Sequence, residues 1–237
     1  LHDPLRRQRQ MCIRDSLEIN HPILYSFKRC PYAMRARMAL YLSQIVCEHR
    51  EVNLKNKPSL MLDISPKGTV PVLILENGKV FEESLEIVDW CIDSNVKIFK
   101  DNITDSQKKK TDELISLFDK EFKFHLDRYK YATRYKGVDK ILHRDKCIEL
   151  LKIIEEEIND TSVWFYSNSV GKVDICILPF IRQFKIANPE WFDRQKDIPK
   201  VHNLLSHFLQ SNLFKSIMVN YDAWEINQPT KLFPILN

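Results

Sequence analysis

Cys30 stands in the run Lys28-Arg29-Cys30-Pro31-Tyr32-Ala33, directly before an apolar stretch with helical spacing. A thiol at that point meets the unsatisfied amide groups and the positive end of a helix dipole, and both favour thiolate over thiol. Lys28 and Arg29 add positive charge. Pro31 suits a first helical turn, where its missing N–H costs nothing and its fixed φ leads the chain into the helix. The chemistry predicted for Cys30 is therefore nucleophilic thiol exchange. Cys12, Cys47, Cys91, Cys147 and Cys176 have neither the paired short spacing of a zinc site nor the density of a secreted disulfide scaffold. Cys47, Cys91, Cys147 and Cys176 read as small core residues, and the usage fits a reducing cytoplasm. His125, His143, His202 and His207 show neither metal-ligand nor triad spacing.

The elements that must hold Cys30 follow from periodicity. Ile23-Leu24-Tyr25-Ser26-Phe27 predicts a strand, and Ala33 to Gln44 a helix with Met34, Met38 and Leu42 on one face. A second strand is expected over Glu48 to Leu54, and a short helix over Pro58 to Ile64, ending before Ser65-Pro66. Val72 to Leu75, Asn77-Gly78 and Val80-Phe81 predict a hairpin with a type I′ turn. A helix from Ser84 to about Ile92 follows, so that Glu83-Ser84 lies where backbone N–H groups and a hydroxyl meet an incoming carboxylate. The order βαβ, α, ββ, α is thioredoxin-like, and its first unit implies parallel strands joined by a right-handed crossover. Beyond Asn95 the strand signals cease, and helical patterns run near 104–135, 139–159, 173–187 and 199–219. The expected architecture is an α/β thioredoxin-like domain over 17–95, a linker over 96–103 and an all-α helical bundle over 104–237. Only 4 glycines in 237 residues agrees with such a helix-rich chain rather than a turn-rich all-β one.

Cys30-Pro31-Tyr32-Ala33 resembles the glutaredoxin Cys-Pro-Tyr-Cys motif, with Ala33 in place of the resolving cysteine. The resemblance implies a monothiol cycle, in which a mixed disulfide between Cys30 and glutathione is resolved by a second glutathione. Val70-Pro71 resembles the cis-proline step of thioredoxin-like proteins, which implies that the Val70 backbone pairs in strand fashion with the cysteinyl part of glutathione. Glu83-Ser84 resembles the pair that grips the γ-glutamyl end in glutathione transferases, Glu83 taking the ammonium and Ser84 the carboxylate. Asn53-Leu54-Lys55-Asn56-Lys57-Pro58 is similar to an omega-class stretch whose lysine reaches the glycyl carboxylate, a role that falls to Lys57. The resemblance spans residues 22–220 and is to bacterial glutathione transferases related to the omega and beta (cysteine-type) classes. It implies glutathione as co-substrate, a small oxidised or electrophilic second substrate and a homodimer. Tyr25 and Ser26 are rival catalytic groups, because other classes of the family hold the glutathione thiolate with a Tyr or Ser of this strand. Gly171 departs from the family's Ser/Thr three residues before Asp174, which implies a weakened helix cap with Asp174 structural. Phe118, Phe122, Tyr129, Tyr131 and Trp164 could line an acceptor-substrate cleft beside Cys30, but at helical spacing they read as core residues.

Three functions are open. The first is a glutathione-dependent thiol transferase or dehydroascorbate-type reductase acting through Cys30. The second is a transferase conjugating electrophiles to glutathione. The third is a non-catalytic interaction module, since the fold also resembles stringent starvation protein A and chloride intracellular channel proteins. The formal charge of +4 gives no argument for nucleic acid, because half of it comes from residues 1–16, where Arg6, Arg7, Arg9 and Arg14 face Asp3 and Asp15. That run, LHDPLRRQRQMCIRDS, has no apolar period and resembles translated adapter read-through more than part of the fold. No apolar run approaches the roughly 20 residues needed to cross a bilayer, so no membrane span is predicted.

Overall fold

A computed structural model describes residues 20–95 and 103–235. The flank 1–16 and, apart from Ile103, the linker 96–103 lie outside the described residues. The strands are β1 (Ile23–Ser26), β2 (Cys47–Glu51), β3 (Val72–Ile74), β4 (Val80–Phe81) and β5 (Leu232–Phe233). The helices are α1 (Pro31–Leu42), α2 (Ser59–Ile64), α3 (Ser84–Ser94), α4 (Asp105–Leu117), α5 (Lys123–Lys130), α6 (Lys140–Glu157), α7 (Lys172–Ala187), α8 (Pro189–Asp193), α9 (Pro199–Gln210) and α10 (Asn212–Ile217). These elements form two compact units, 20–95 with 212–235, and 103–211.

The first unit is a five-stranded sheet ordered β4-β3-β1-β2-β5, with α1, α2, α3 and α10. β1 pairs parallel with β2 across α1 and antiparallel with β3, which continues into β4, so the thioredoxin-like order is present. Alternate residues of the strands, Ile23 and Tyr25 from β1 and Val72 and Ile74 from β3, meet Ala33, Met61 and Val70 in one buried cluster. Phe27, Cys30 and Ile64 pack at its edge. Leu24 and Leu73 are also fully buried, which explains why these strands read as continuous apolar runs rather than alternating ones.

Two expectations are corrected. The hairpin turn is not type I′, because only Gly78 of the Asn77-Gly78 pair takes a positive φ, 80°. Gly78 N donates to Leu75 O at 2.8 Å, and Asn77 Oδ1 accepts from Lys79 N at 3.0 Å. The loop is thus one residue longer than a two-residue turn, and a single left-handed glycine closes it. The second correction concerns the C-terminal end of the all-helical span drawn as 104–237. The helix expected over 199–219 stops at Gln210, where Ser211 turns extended (φ −66°, ψ 156°) and its hydroxyl donates to Phe208 O at 2.7 Å. Residues 212–235 then join the sheet-bearing unit, and β5 pairs antiparallel with β2, Phe233 opposite Cys47 and Leu232 opposite Glu48.

The second unit holds α4 to α9. Thr104 and Gln107 cap α4 reciprocally, Thr104 Oγ1 accepting from Gln107 N at 3.2 Å and Gln107 Oε1 from Thr104 N at 2.8 Å. Phe118 and Phe122 stack at 4.4 Å in a π-helical turn between α4 and α5, and Phe184 meets Phe122 and Tyr129 edge-on at 5.9 and 5.5 Å. Phe118, Phe122, Tyr129 and Trp164 are buried core residues, whereas Tyr131, the C-cap residue of α5, is only half-buried. Asp174 accepts from Gly171 N at 2.9 Å and Phe165 N at 3.1 Å, fastening the loop that enters α7 where Gly171 supplies no capping side chain. Among the described residues, no helix is long and apolar enough to cross a membrane.

Candidate active site

Cys30 is the N-cap residue of α1, with extended backbone (φ −74°, ψ 124°), and Pro31 opens the helix. The turn before it is closed by Cys30 N donating to Phe27 O at 3.0 Å. The sulfur therefore sits where the first amides of α1 have no partners within the helix. Cys30 is half-buried, and its Sγ lies 3.5 Å from Val70 O. The peptide between Val70 and Pro71 is cis. Cys47, Cys91, Cys147 and Cys176 are buried, and burial pushes the Cys47 and Cys147 thiols up and that of Cys91 up to about 12. Cys30 is the one accessible thiol among the described residues.

The segment Ser65 to Pro71 gathers the other residues singled out in the sequence. Lys57 lies against Gly68, so close that a Cβ at Gly68 would stand 3.3 Å from Lys57 Nζ and 3.1 Å from Leu62 Cδ2. Gly68 has φ +59°, which glycine adopts without cost. Lys67 forms an exposed ion pair with Glu83, and this partner raises the Lys67 pKa. Ser65 Oγ donates to Glu82 Oε1 at 2.6 Å, tying the same segment to the strand end before Glu83. Ser84 begins α3 and is buried, its hydroxyl 3.5 Å from Nη1 of the fully buried Arg35 on α1. Cys30, Lys57, Val70, Pro71 and Glu83 are thus linked through one loop, and Ser84 is linked to the Cys30 helix through Arg35.

The rival groups are differently placed. Tyr25 is fully buried, and its hydroxyl accepts from Arg50 Nη1 at 2.7 Å. Burial raises its pKa, and Arg50 only partly offsets this. Ser26 is also fully buried, and its hydroxyl accepts from Arg37. Among the described residues no cluster of three or more side chains is arranged to hold a metal ion.

The family profile described as "Glutathione S-transferase, N-terminal domain" matches residues 24–97, the span that contains every one of these groups. Glutathione S-transferase U19 of Arabidopsis thaliana is 31% identical over 190 residues, covering 77% of this chain and 82% of its own. The chain belongs to the glutathione S-transferase family. Glutathione S-transferase omega-1 of Rattus norvegicus is 28% identical over 165 residues, 68% of this chain and 66% of its own. A tau-class glutathione S-transferase from mango, Mangifera indica, matches in fold with a TM-score of 0.72 at 22% identity, covering 84% of this chain and 93% of that one. The glutathione S-transferase fold, a thioredoxin-like domain with a helical C-terminal domain, accounts for both units of the chain.

Two further residues reach the candidate site and were not singled out in the sequence, Arg35 at the Ser84 hydroxyl and Arg37 at the turn before Cys30. Arg35 and Arg37 lie inside α1, where Ala33 to Leu40 are all buried. The available signal was two arginines in a helix whose remaining residues are apolar on every face, a setting in which a charge persists only with fixed partners.

Proposed function

We propose that this glutathione S-transferase is of the cysteine type and omega-like, acting as a glutathione-dependent thiol transferase or reductase with Cys30 as nucleophile. The observation that carries the reading is Cys30 Sγ at the N-terminus of α1, 3.5 Å from the carbonyl of Val70, while Tyr25 and Ser26 are buried and engaged by arginines. The thiolate of Cys30 attacks the glutathionyl sulfur of a mixed disulfide R–S–S–G. A Cys30–S–S–G bond forms, and R–S⁻ leaves and takes a proton. A second glutathione thiolate then attacks the Cys30–S–S–G bond, regenerating the Cys30 thiolate and releasing glutathione disulfide. Ala33 leaves no thiol in the motif to resolve the intermediate internally.

In this reading the Val70 main chain pairs with the cysteinyl part of glutathione, Lys57 takes the glycyl carboxylate, and Glu83 and Ser84 take the γ-glutamyl end. Buried Arg35 supports Ser84 from beneath, adding positive potential where a carboxylate arrives. Lys67 holds Glu83 until an ammonium competes for it. A homodimer and a small oxidised second substrate belong to the same proposal.

The test is Cys30→Ser, assayed in glutathione-linked disulfide reduction, in conjugation of an electrophilic aromatic and in glutathione binding. Loss of reduction with glutathione binding retained is expected. Full reduction by the variant would overturn the reading, and conjugation that persists without any reduction in the parent protein would favour a conjugating transferase. Failure to bind glutathione by calorimetry would favour an interaction module.

A further inference from the structure

The turn that presents Cys30 is gripped from behind by two buried or half-buried charged residues. Arg37, on α1, donates to Lys28 O at 2.8 Å, to Phe27 O at 3.4 Å and to Ser26 Oγ. Phe27 O is the same carbonyl that accepts from Cys30 N. Glu51, at the end of β2, accepts from Lys28 N at 2.7 Å through Oε1.

Both grips are also held by the end of the chain. Arg37 Nε donates to Ile217 O at 2.9 Å, at the end of α10. Glu51 O accepts from Trp224 N at 2.8 Å, and Glu51 Oε2 lies 3.0 Å from His49 Nε2, whose ring stacks on Tyr221 at 4.1 Å. Lys28 Nζ itself bonds Asn220 Oδ1. His49 N then donates to Lys231 O at 2.7 Å as the chain enters β5. Residues 222, 223 and 225–232 are exposed, so this segment buries little apolar surface. Its polar contacts fall instead on the residues that hold the Cys30 turn.

We propose that the C-terminal segment Ile217–Phe233 is a clasp that positions Cys30, acting through Arg37 and Glu51 on the turn Phe27-Lys28-Arg29-Cys30. The inference rests on the reading of Cys30 as the nucleophile. A thiolate gains from a helix N-terminus only while the sulfur stays aimed at the first-turn amides, and that aim is set by the turn. With Ile217 lost, water competes for Arg37, and with the residues beyond Val219 lost, water reaches Glu51 and Lys28; either loss lets the turn rock. Arg37, Glu51 and Asn220 are positioning residues in this account and touch no reacting atom.

The test reads the thiol rather than turnover, so it stands even if disulfide reduction survives Cys30→Ser. A chain ended after Val219, which keeps α10 and Ile217, is compared with the full chain by the rate of Cys30 alkylation with iodoacetamide over a pH series, followed by peptide mass. At neutral pH the rate is expected to fall about tenfold, the factor carried by one charge-assisted hydrogen bond, and the half-maximal pH to move upward. Two point variants guard against misfolding. Asn220→Ala, on an exposed residue, should give a smaller change in the same direction, and Arg37→Lys, which keeps the charge and loses the planar fork, should give a rate between those of Arg37→Met and the parent. An unchanged rate and pH profile in the folded shortened chain, or in Arg37→Met, would overturn the proposal.

Discussion

Replacing Tyr25 by Phe separates a catalytic hydroxyl from a structural one. Tyr25 OH accepts from Arg50 at 2.7 Å in a fully buried position, and a hydrogen bond to a charged group contributes about 1.5–3 kcal/mol. Arg50 keeps Glu48 Oε1 at 2.7 Å and the face of Trp224 at 4.3 Å, so the loss should fall near the lower bound, about 1.5 kcal/mol. For a chain of this size that lowers Tm by roughly 3–6 °C. Turnover in glutathione-linked disulfide reduction should stay within about twofold of the parent, since a factor of ten requires about 1.4 kcal/mol of lost transition-state stabilisation. Thermal denaturation followed by circular dichroism and the reduction assay, run on the same preparation, read both quantities. A more than tenfold fall in kcat with Tm unchanged would refute the reasoning and make Tyr25 a catalytic group.

Gly68→Ala places a Cβ 3.1 Å from Leu62 Cδ2 and 3.3 Å from Lys57 Nζ at φ +59°, which should cost about 1–2 kcal/mol and weaken glutathione binding by displacing Lys57; denaturation midpoints and calorimetry check this, and a neutral substitution would contradict it. His49 gives the fold a pH dependence. Burial lowers its pKa below the ordinary 6.5, Glu51 opposes this, Arg37 adds to it, and Tyr221 and Phe233 cover the ring. The folded chain therefore holds His49 neutral while the unfolded chain protonates it, so its contribution is complete above about 6.5 and is lost as pH falls toward the lowered folded value. The denaturation midpoint should fall over that acidic range and fall less in His49→Gln; a midpoint with the same pH dependence in both would exclude His49 as the cause.

The places of the candidate site residues were legible because these residues sit at element junctions, where local chemistry is distinctive. Cys30-Pro31 announces a helix start, Val70-Pro71 a strand entry and Glu83-Ser84 a second helix start, and all three occupy those places in the structure. What was not legible depends on contacts remote in sequence. Phe233 reaches Cys47 through a strand of two residues, too short for any periodicity to register. The apolar spacing over 199–219 runs on across Ser211, with Leu205 and Phe208 before it and Leu213 and Ile217 after it, and outweighed the one mark of the break, the cap-forming pair Ser211-Asn212. Arg35 and Arg37 looked like ordinary helix residues, and their partners, Ser84 and Ile217 among them, lie 49 and 180 positions away. Asn77-Gly78 marked the right place but not the turn type, which was decided by how Asn77 Oδ1 caps Lys79 N.

The central claim is that Cys30 forms the mixed disulfide with glutathione. Incubation of the full chain with glutathione disulfide, followed by peptide mass mapping, tests it most directly. Among the described cysteines, a glutathionyl adduct on the peptide containing Cys30 alone is predicted, with Cys47, Cys91, Cys147 and Cys176 unmodified behind their burial and the adduct removed by added glutathione. No adduct on Cys30, or one that forms equally on the buried cysteines, would contradict the account.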